Sequence, residues 1–172
     1  MMIKSVFQLA MCSVLLASVS ASASPMSRRP LAIAASIQET TGPMARCPSQ
    51  FGGTITGHAN SALLGRVVII ASDCITPSGP LFNFSQGRMI IMTVTGEQIF
   101  ADYSGQFVPT GISTKFVFSN ATFQITGGTG KFSKATGGGS LNGGEDMATG
   151  QGTIKLSGRI SYKDKNRFLV DP

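Results

Sequence analysis

The chain has 172 residues, with 14 lysines and arginines against 8 aspartates and glutamates (net +6) and 42% hydrophobic residues. That is one domain's worth of chain, and its apolar content excludes a disordered polymer. Its basic side chains (Lys115, Lys131, Lys134, Lys155, Arg159) are scattered through different elements. Nucleic-acid binding would need a basic stripe interleaved with aromatics, so no nucleic-acid partner is expected.

Residues 1–23 have the make-up of a secretory signal peptide: Lys4, the mostly apolar stretch Val6 to Ala17, then the small-residue cleavage site Ala21-Ser22-Ala23. The mature chain is expected to start at Ser24, keeping 149 of the 172 residues. Its destination is periplasmic or extracellular. Beyond the signal the best apolar run is Val67 to Ala71, far short of the ~18 residues of a spanning helix, so no membrane span is expected. Cys12 leaves with the signal. Cys47 and Cys74 remain, and an even count in an oxidising compartment favours a disulfide over two buried thiols.

Residues 24–49 read as an N-terminal tether punctuated by Pro25, Pro30, Pro43 and Pro48, with only Leu31 to Ile37 able to make a short helix. Residues 50–172 read as the folded domain, because there the hydrophobic period becomes two. Phe51 to Gly57 alternates first. Ala62 to Cys74 carries Val67, Ile69 and Ala71 on one face, and Phe82 and Phe84 flank Asn83. Met89 to Thr95 is a dense β-branched run that ends at the turn Thr95-Gly96-Glu97. Ile99, Ala101, Tyr103, Gly105 and Phe107 then share a face, which directs Tyr103 inward and Asp102 outward. Lys115 to Thr126 puts Val117, Ala121, Phe123 and Ile125 on its apolar side. Gly137 to Gly143 counts as a strand, and Asn142-Gly143-Gly144-Glu145-Asp146 as a hairpin turn. Thr153 to Tyr162 alternates most cleanly, with Ile154, Leu156, Ile160 and Tyr162 against Lys155 and Arg159. About eight strands joined by short turns, with no helix to cover them, predict an all-β fold: an eight-stranded antiparallel barrel.

Glycine is abundant, and Gly127-Gly128-Thr129-Gly130-Lys131 invites a phosphate-loop reading. That loop needs Ser or Thr after its lysine and an earlier glycine; Phe132 and Ile125 stand there instead. Gly127, Gly128 and Gly130 read as a structural turn, with Thr129 capping one helical turn that tucks Phe132 and Ala135 into one end of the barrel. The segment Phe123 to Gly137 resembles the glycine-rich segment of plant allene oxide cyclases and dirigent proteins. The mature chain as a whole is similar to small exported bacterial proteins grouped with that calycin-like barrel. In them a cysteine comparable to Cys74 in Ser72-Asp73-Cys74-Ile75 recurs, as does a strand like Gly96 to Gly105. The sharp part of the resemblance covers about fifteen residues, the looser order of strands Phe51 to Tyr162. It implies an eight-stranded barrel, often trimeric in the plant families, with an apolar cavity. The pocket acid of the plant cyclases and the dirigent aspartates and arginine match no motif in this chain.

No catalytic constellation is visible. His58, the only histidine, lies on a polar face beside Asn60 without a nucleophile elbow, and no metal-ligand set or cofactor motif is present. The expectation is a small exported barrel, not an enzyme, that holds a small apolar ligand among Tyr103, Phe107, Phe123 and Tyr162. Inward Gly53, Gly57, Gly105 and Gly158 are expected to leave it space. Two alternatives stand beside this. A cyclase-like, isomerase-like or dirigent-like protein would steer a reactive intermediate, and would need a polar group of shifted pKa inside the pocket. A structural or interaction protein would have its barrel filled with side chains.

Overall fold

The computed structural model describes residues 26–163, so the signal-peptide expectation for residues 1–23 lies outside them. Eight antiparallel strands close into a barrel in simple chain order: β1 (Met26–Pro43), β2 (Phe51–Ser61), β3 (Gly65–Ser78), β4 (Leu81–Thr93), β5 (Gln98–Pro109), β6 (Lys115–Gly128), β7 (Thr136–Asp146) and β8 (Gln151–Lys163). Every neighbour pair but one is a hairpin, and β1 pairs with β8 to seal the wall. The all-β barrel expected from the two-residue period is the fold.

The segment read as a tether is instead β1, the longest strand of the barrel. Leu31, Ile33, Ala35, Ile37 and Glu39 are buried in strict alternation with exposed neighbours. The prolines misled because they do not break this strand. β1 is paired only with β8 before Ala34 and only with β2 beyond Gln38, so Pro30 and Pro43 fall where one edge carries no ladder. The hairpin turn read at Asn142 to Asp146 is likewise wrong: those residues belong to β7, and the chain turns at 147–150. The inward positions of β7 are Gly137, Gly139, Leu141, Gly143 and Glu145, so glycine erases the apolar period that would have marked the strand.

The core is the barrel interior, filled by side chains from all eight strands, among them Leu31, Ile33, Ile69, Met89, Ile91, Ile99, Ile125, Leu156 and Ile160. The inward glycines do not leave space. A side chain at Gly105 would strike the Phe84 ring and Ala121, one at Gly57 would strike Ile37, and one at Gly53 would strike the Glu39 carboxyl. Bulky neighbours fill each vacancy.

The two ends of the barrel differ. At the end holding the β6–β7 connection, a 3-10 turn, Gly130–Phe132, inserts Phe132 and Ala135 into the core. Phe132 meets Tyr162 there, ring centroids 5.0 Å apart. Thr129 does not cap this turn with its side chain; its Oγ1 accepts the Gln98 amide at 2.9 Å instead. Lys131 pairs with Glu97 at 2.9 Å and pins the turn to the β4–β5 connection. Gly127 and Gly130 have positive φ, and at Gly128 any Cβ would collide with the Gln98 carbonyl.

At the opposite end lie the β1–β2, β3–β4, β5–β6 and β7–β8 connections. A disulfide between Cys47 and Cys74 ties the β1–β2 connection onto β3, both cysteines buried. Arg46 reinforces it by donating to the Gln86 carbonyl and to Ser72 Oγ, each at 3.0 Å. Among the described residues no helix is long and apolar enough to cross a membrane.

Candidate functional site

The end closed by the disulfide holds what the rest of the core lacks: buried acids. Alternation along β1 carries Glu39 inward after Ile37, alternation along β3 carries Asp73 inward after Ala71, and alternation along β7 carries Glu145 inward. All three are buried, with exposures of 4%, 1% and 6%. Glu39 and Glu145 bond carboxyl to carboxyl, and no amide or hydroxyl donor is well placed for either Glu39 oxygen, for Glu145 Oε2 or for Asp73 Oδ1. Buried polar atoms are nearly always partnered, so three buried acids with so few donors around them call for a reason.

Tyr103 holds the third acid, its hydroxyl donating to Asp73 Oδ2 at 2.8 Å. The ring lies over Gly87, where a Cβ would collide with it, and that glycine makes room for the tyrosine to reach across from β5 to β3. Gly53 has a double part. Its amide helps hold Asp73, and its bare Cα lets the Glu39 carboxyl settle against β2.

Burial sets the electrostatics. Asp73 is pushed up to about 7, first by desolvation and then by the charge of Glu39, against the pull of Tyr103, the Gly53 amide and Arg46. Glu39 rises well above the ordinary glutamate value, again chiefly by desolvation, with Glu145 adding to the rise. Glu145 is raised by desolvation and by Asp73. Tyr103 is pushed well above its ordinary value by burial and by the neighbouring Asp73 charge. Glu39 and Glu145 act on one another as a proton-sharing pair, in which ionising one carboxyl opposes ionising the other.

Above the pair opens a hollow of about 490 Å³ at the barrel mouth, walled by Phe51, Ile75, Phe82 and Met147 with Glu39 and Glu145 in its lining. The β7–β8 turn forms one side and is clamped in place. The Glu39 amide donates to the Gly150 carbonyl at 2.7 Å, and Gln38 Nε2 donates to the Thr149 carbonyl, also at 2.7 Å. An apolar mouth lined with two carboxyls of raised proton affinity can present a hydrogen-bond donor, an acceptor, or a proton to a bound molecule.

No family model, curated protein or solved structure matches this chain. The site therefore rests on its own geometry.

The residues expected to hold a ligand are inside the barrel but are not gathered around one space. Tyr103 belongs to the acid cluster. Phe107 packs on Phe84 and Phe118, with ring centroids 4.8 and 5.4 Å away, just below the mouth. Phe123 pairs across from Tyr103 in the wall, and Tyr162 sits at the far end against Phe132. His58 is exposed on the outer face. Among the described residues no group of three His, Cys, Asp or Glu is arranged to hold a metal, the three buried acids included. A larger hollow, about 960 Å³, runs along the outer wall over Gly137, Gly138 and Gly139, but it is an open furrow left by missing side chains. Sequence reasoning missed Glu39, Asp73 and Glu145, although each continues the inward parity of its strand.

Proposed function

We propose that this chain is an exported β-barrel protein, released from residues 1–23, whose disulfide-braced mouth binds a small apolar molecule bearing one polar group. The apolar part rests on Phe51, Ile75, Phe82 and Met147, and the polar group meets Glu39 and Glu145. One observation carries the reading: Glu39 and Glu145, two buried carboxyls bonded to each other, lie in the lining of a hollow that also presents Phe51, Ile75, Phe82 and Met147. Two apolar residues in place of Glu39 and Glu145 would remove the desolvation cost of the carboxyls, so their presence argues for a ligand that uses them. The buried disulfide supports an oxidising, extracytoplasmic destination.

A second reading is favoured by the raised proton affinity of the same carboxyls. A neutral acid beside its conjugate base in an apolar mouth suits cyclase-like or isomerase-like proton transfer, or the steering of a reactive intermediate. The resemblance of Phe123 to Gly137 to the allene oxide cyclase and dirigent barrels, with its implied trimer, is compatible with either reading.

The test is binding of a neutral apolar dye, Nile red, to native disulfide-intact protein. The expected result is about one dye per subunit, weakened several-fold by Phe82→Ala and unchanged by Lys134→Ala. Native mass spectrometry of protein from its source would count subunits and retained ligand together. Folded protein that binds no dye would move the chain to the class of filled, structural barrels.

A further inference from the structure

We propose that the outer face of β8 and its two neighbouring strands binds an acidic polysaccharide, a linear polymer carrying carboxylate or sulfate groups. In sequence, Lys155 and Arg159 lie far from Arg28, but the closure of the wall by β1 and β8 brings them together. Lys155, Arg159 and Lys163 stand at every fourth residue of β8, so alternation points all three outward, and all three are exposed. Arg159 lies opposite Pro30 and Ser161 opposite the exposed Arg28, which makes Arg28 and Arg159 diagonal neighbours across the seam. Four cations thus line a stripe about 26 Å long, at ~3.3 Å per residue.

The surroundings leave these charges unneutralised. Beside the stripe β7 turns outward only Thr136, Gly138, Ser140 and Asn142, and β1 contributes only proline and alanine besides Arg28. These side chains are short, so nothing keeps a partner from reaching the cations. Among the described residues no carboxylate pairs with any of the four. Asp146, the acid that β7 does turn outward, lies at the mouth end and is held by Thr114. Successive cations on β8 are ~13 Å apart, beyond the ~8 Å screening length of physiological salt, so they repel one another little. A polymer charged along its length meets all of them at once.

A second observation coincides with the stripe. The outer furrow of about 960 Å³ runs beside it, with Arg28 and Arg159 in its lining and Gly137, Gly138 and Gly139 along its floor. Thr122, Gln124 and Ser161 add hydroxyl and amide groups there, and its one carboxylate, Asp102, stands on β5, three strands from β8. Short hydroxyl and amide side chains along a bare backbone suit the hydroxyls of a sugar chain, and a guanidinium grips a carboxylate or sulfate through two parallel hydrogen bonds. A nucleic acid would need aromatic rings on which to stack its bases, and among the described residues none points outward from β7, β8 or β1. A membrane surface would need apolar side chains that enter it, and Met26 is the only large one on this face of the described residues.

The probe is polygalacturonate, a carboxylated polysaccharide, immobilised and exposed to native, disulfide-intact protein in an interferometric binding assay. Its methyl ester serves as the uncharged polymer of the same backbone. Polygalacturonate is expected to bind in about 50 mM salt and to weaken about tenfold or more by about 200 mM, as counter-ion release requires, while the ester does not bind. Lys155→Gln with Arg159→Gln should weaken binding about tenfold or more. Arg66→Gln with Arg88→Gln, at exposed positions of β3 and β4 across the barrel, removes the same charge and should change binding less than about twofold. All four substitutions are on the surface, and thermal melts check that each variant folds. Equal weakening by the two pairs would reduce the effect to net charge and overturn the stripe. Equal affinity for the ester would overturn recognition by charge. Tighter binding to phosphatidylglycerol vesicles or to single-stranded DNA would overturn the polysaccharide assignment, and folded protein that ignores polygalacturonate in low salt would overturn the surface itself.

Discussion

At the scale of single residues, the acids divide into two populations that composition cannot separate. Glu97 and Asp146 are held below their ordinary values by hydrogen bonds to Lys131 and Thr114, respectively. Glu39, Asp73 and Glu145 are held above theirs by burial. The second group makes stability depend on pH in an unusual direction. In the unfolded chain Asp73 loses its proton near its ordinary 3.8, whereas in the barrel it keeps it to about 7. The folded state therefore binds more protons through that window, and stability falls as pH rises through it. Glu39 extends the fall to higher pH. At ~1.4 kcal/mol per unit of displacement, Asp73 alone accounts for up to about 4 kcal/mol. The thermal midpoint should accordingly be higher at pH 5 than at pH 8, and Glu39→Gln should flatten the slope and raise the midpoint at pH 8. A midpoint that rises from pH 5 to pH 8 would contradict the burial of these groups. The three acids were legible in principle. Leu31, Ile33, Ala35, Ile37, Glu39 is one uninterrupted inward series, as is Val67, Ile69, Ala71, Asp73. A charged residue at the end of such a series reads first as the strand emerging into water; only the turns folded over the mouth keep Glu39 and Glu145 covered.

At the scale of the strand, legibility tracked how much side chain each inward position carries. β8 was plain because Ile154, Leu156, Ile160 and Tyr162 all bury large groups against exposed Lys155 and Arg159. β7 was blurred because most of its inward positions are glycine, and Gly139 faces Gly158 where the two backbones lie close. β1 was lost to its prolines, whose effect on a strand depends on which edges are paired, a property of neighbours that a single segment does not contain. For β8 the pattern makes a sharp contrast. Leu156 is fully buried, so Leu156→Ala should cost ~2–5 kcal/mol. Lys155 is exposed, and Lys155→Ala should cost less than about 0.5 kcal/mol. Denaturant melts of the two variants decide it, and equal losses would mean that the strand's faces are reversed.

At the scale of the whole molecule, the barrel is braced differently at its two ends: by an inserted aromatic turn at one, by a covalent link at the other. The link joins residues 27 apart in sequence, which in the chain-entropy account contributes roughly 3.5 kcal/mol. Cys47→Ser with Cys74→Ser should therefore lower stability by a few kcal/mol and loosen the mouth more than the plugged end. Amide hydrogen exchange would show this as faster exchange in β3 near Asp73 with β8 near Tyr162 unchanged, while uniform loss of protection would refute a local brace. The closure of the wall by β1 and β8 has a consequence of another kind. A polypeptide is made from its N-terminus, so β1 is the first strand to exist and the last to receive its second neighbour. Until β8 arrives, an edge thirteen residues long with a row of apolar side chains stands open to any passing strand. Arg28, Arg29 and Pro30 occupy the start of that edge, residue types that discourage intruders. A chain that stops short of Gln151 is thus not a barrel with a stave missing but an open ribbon with two adhesive borders, and quality control of this protein comes down to whether its final thirteen-residue strand arrives in time.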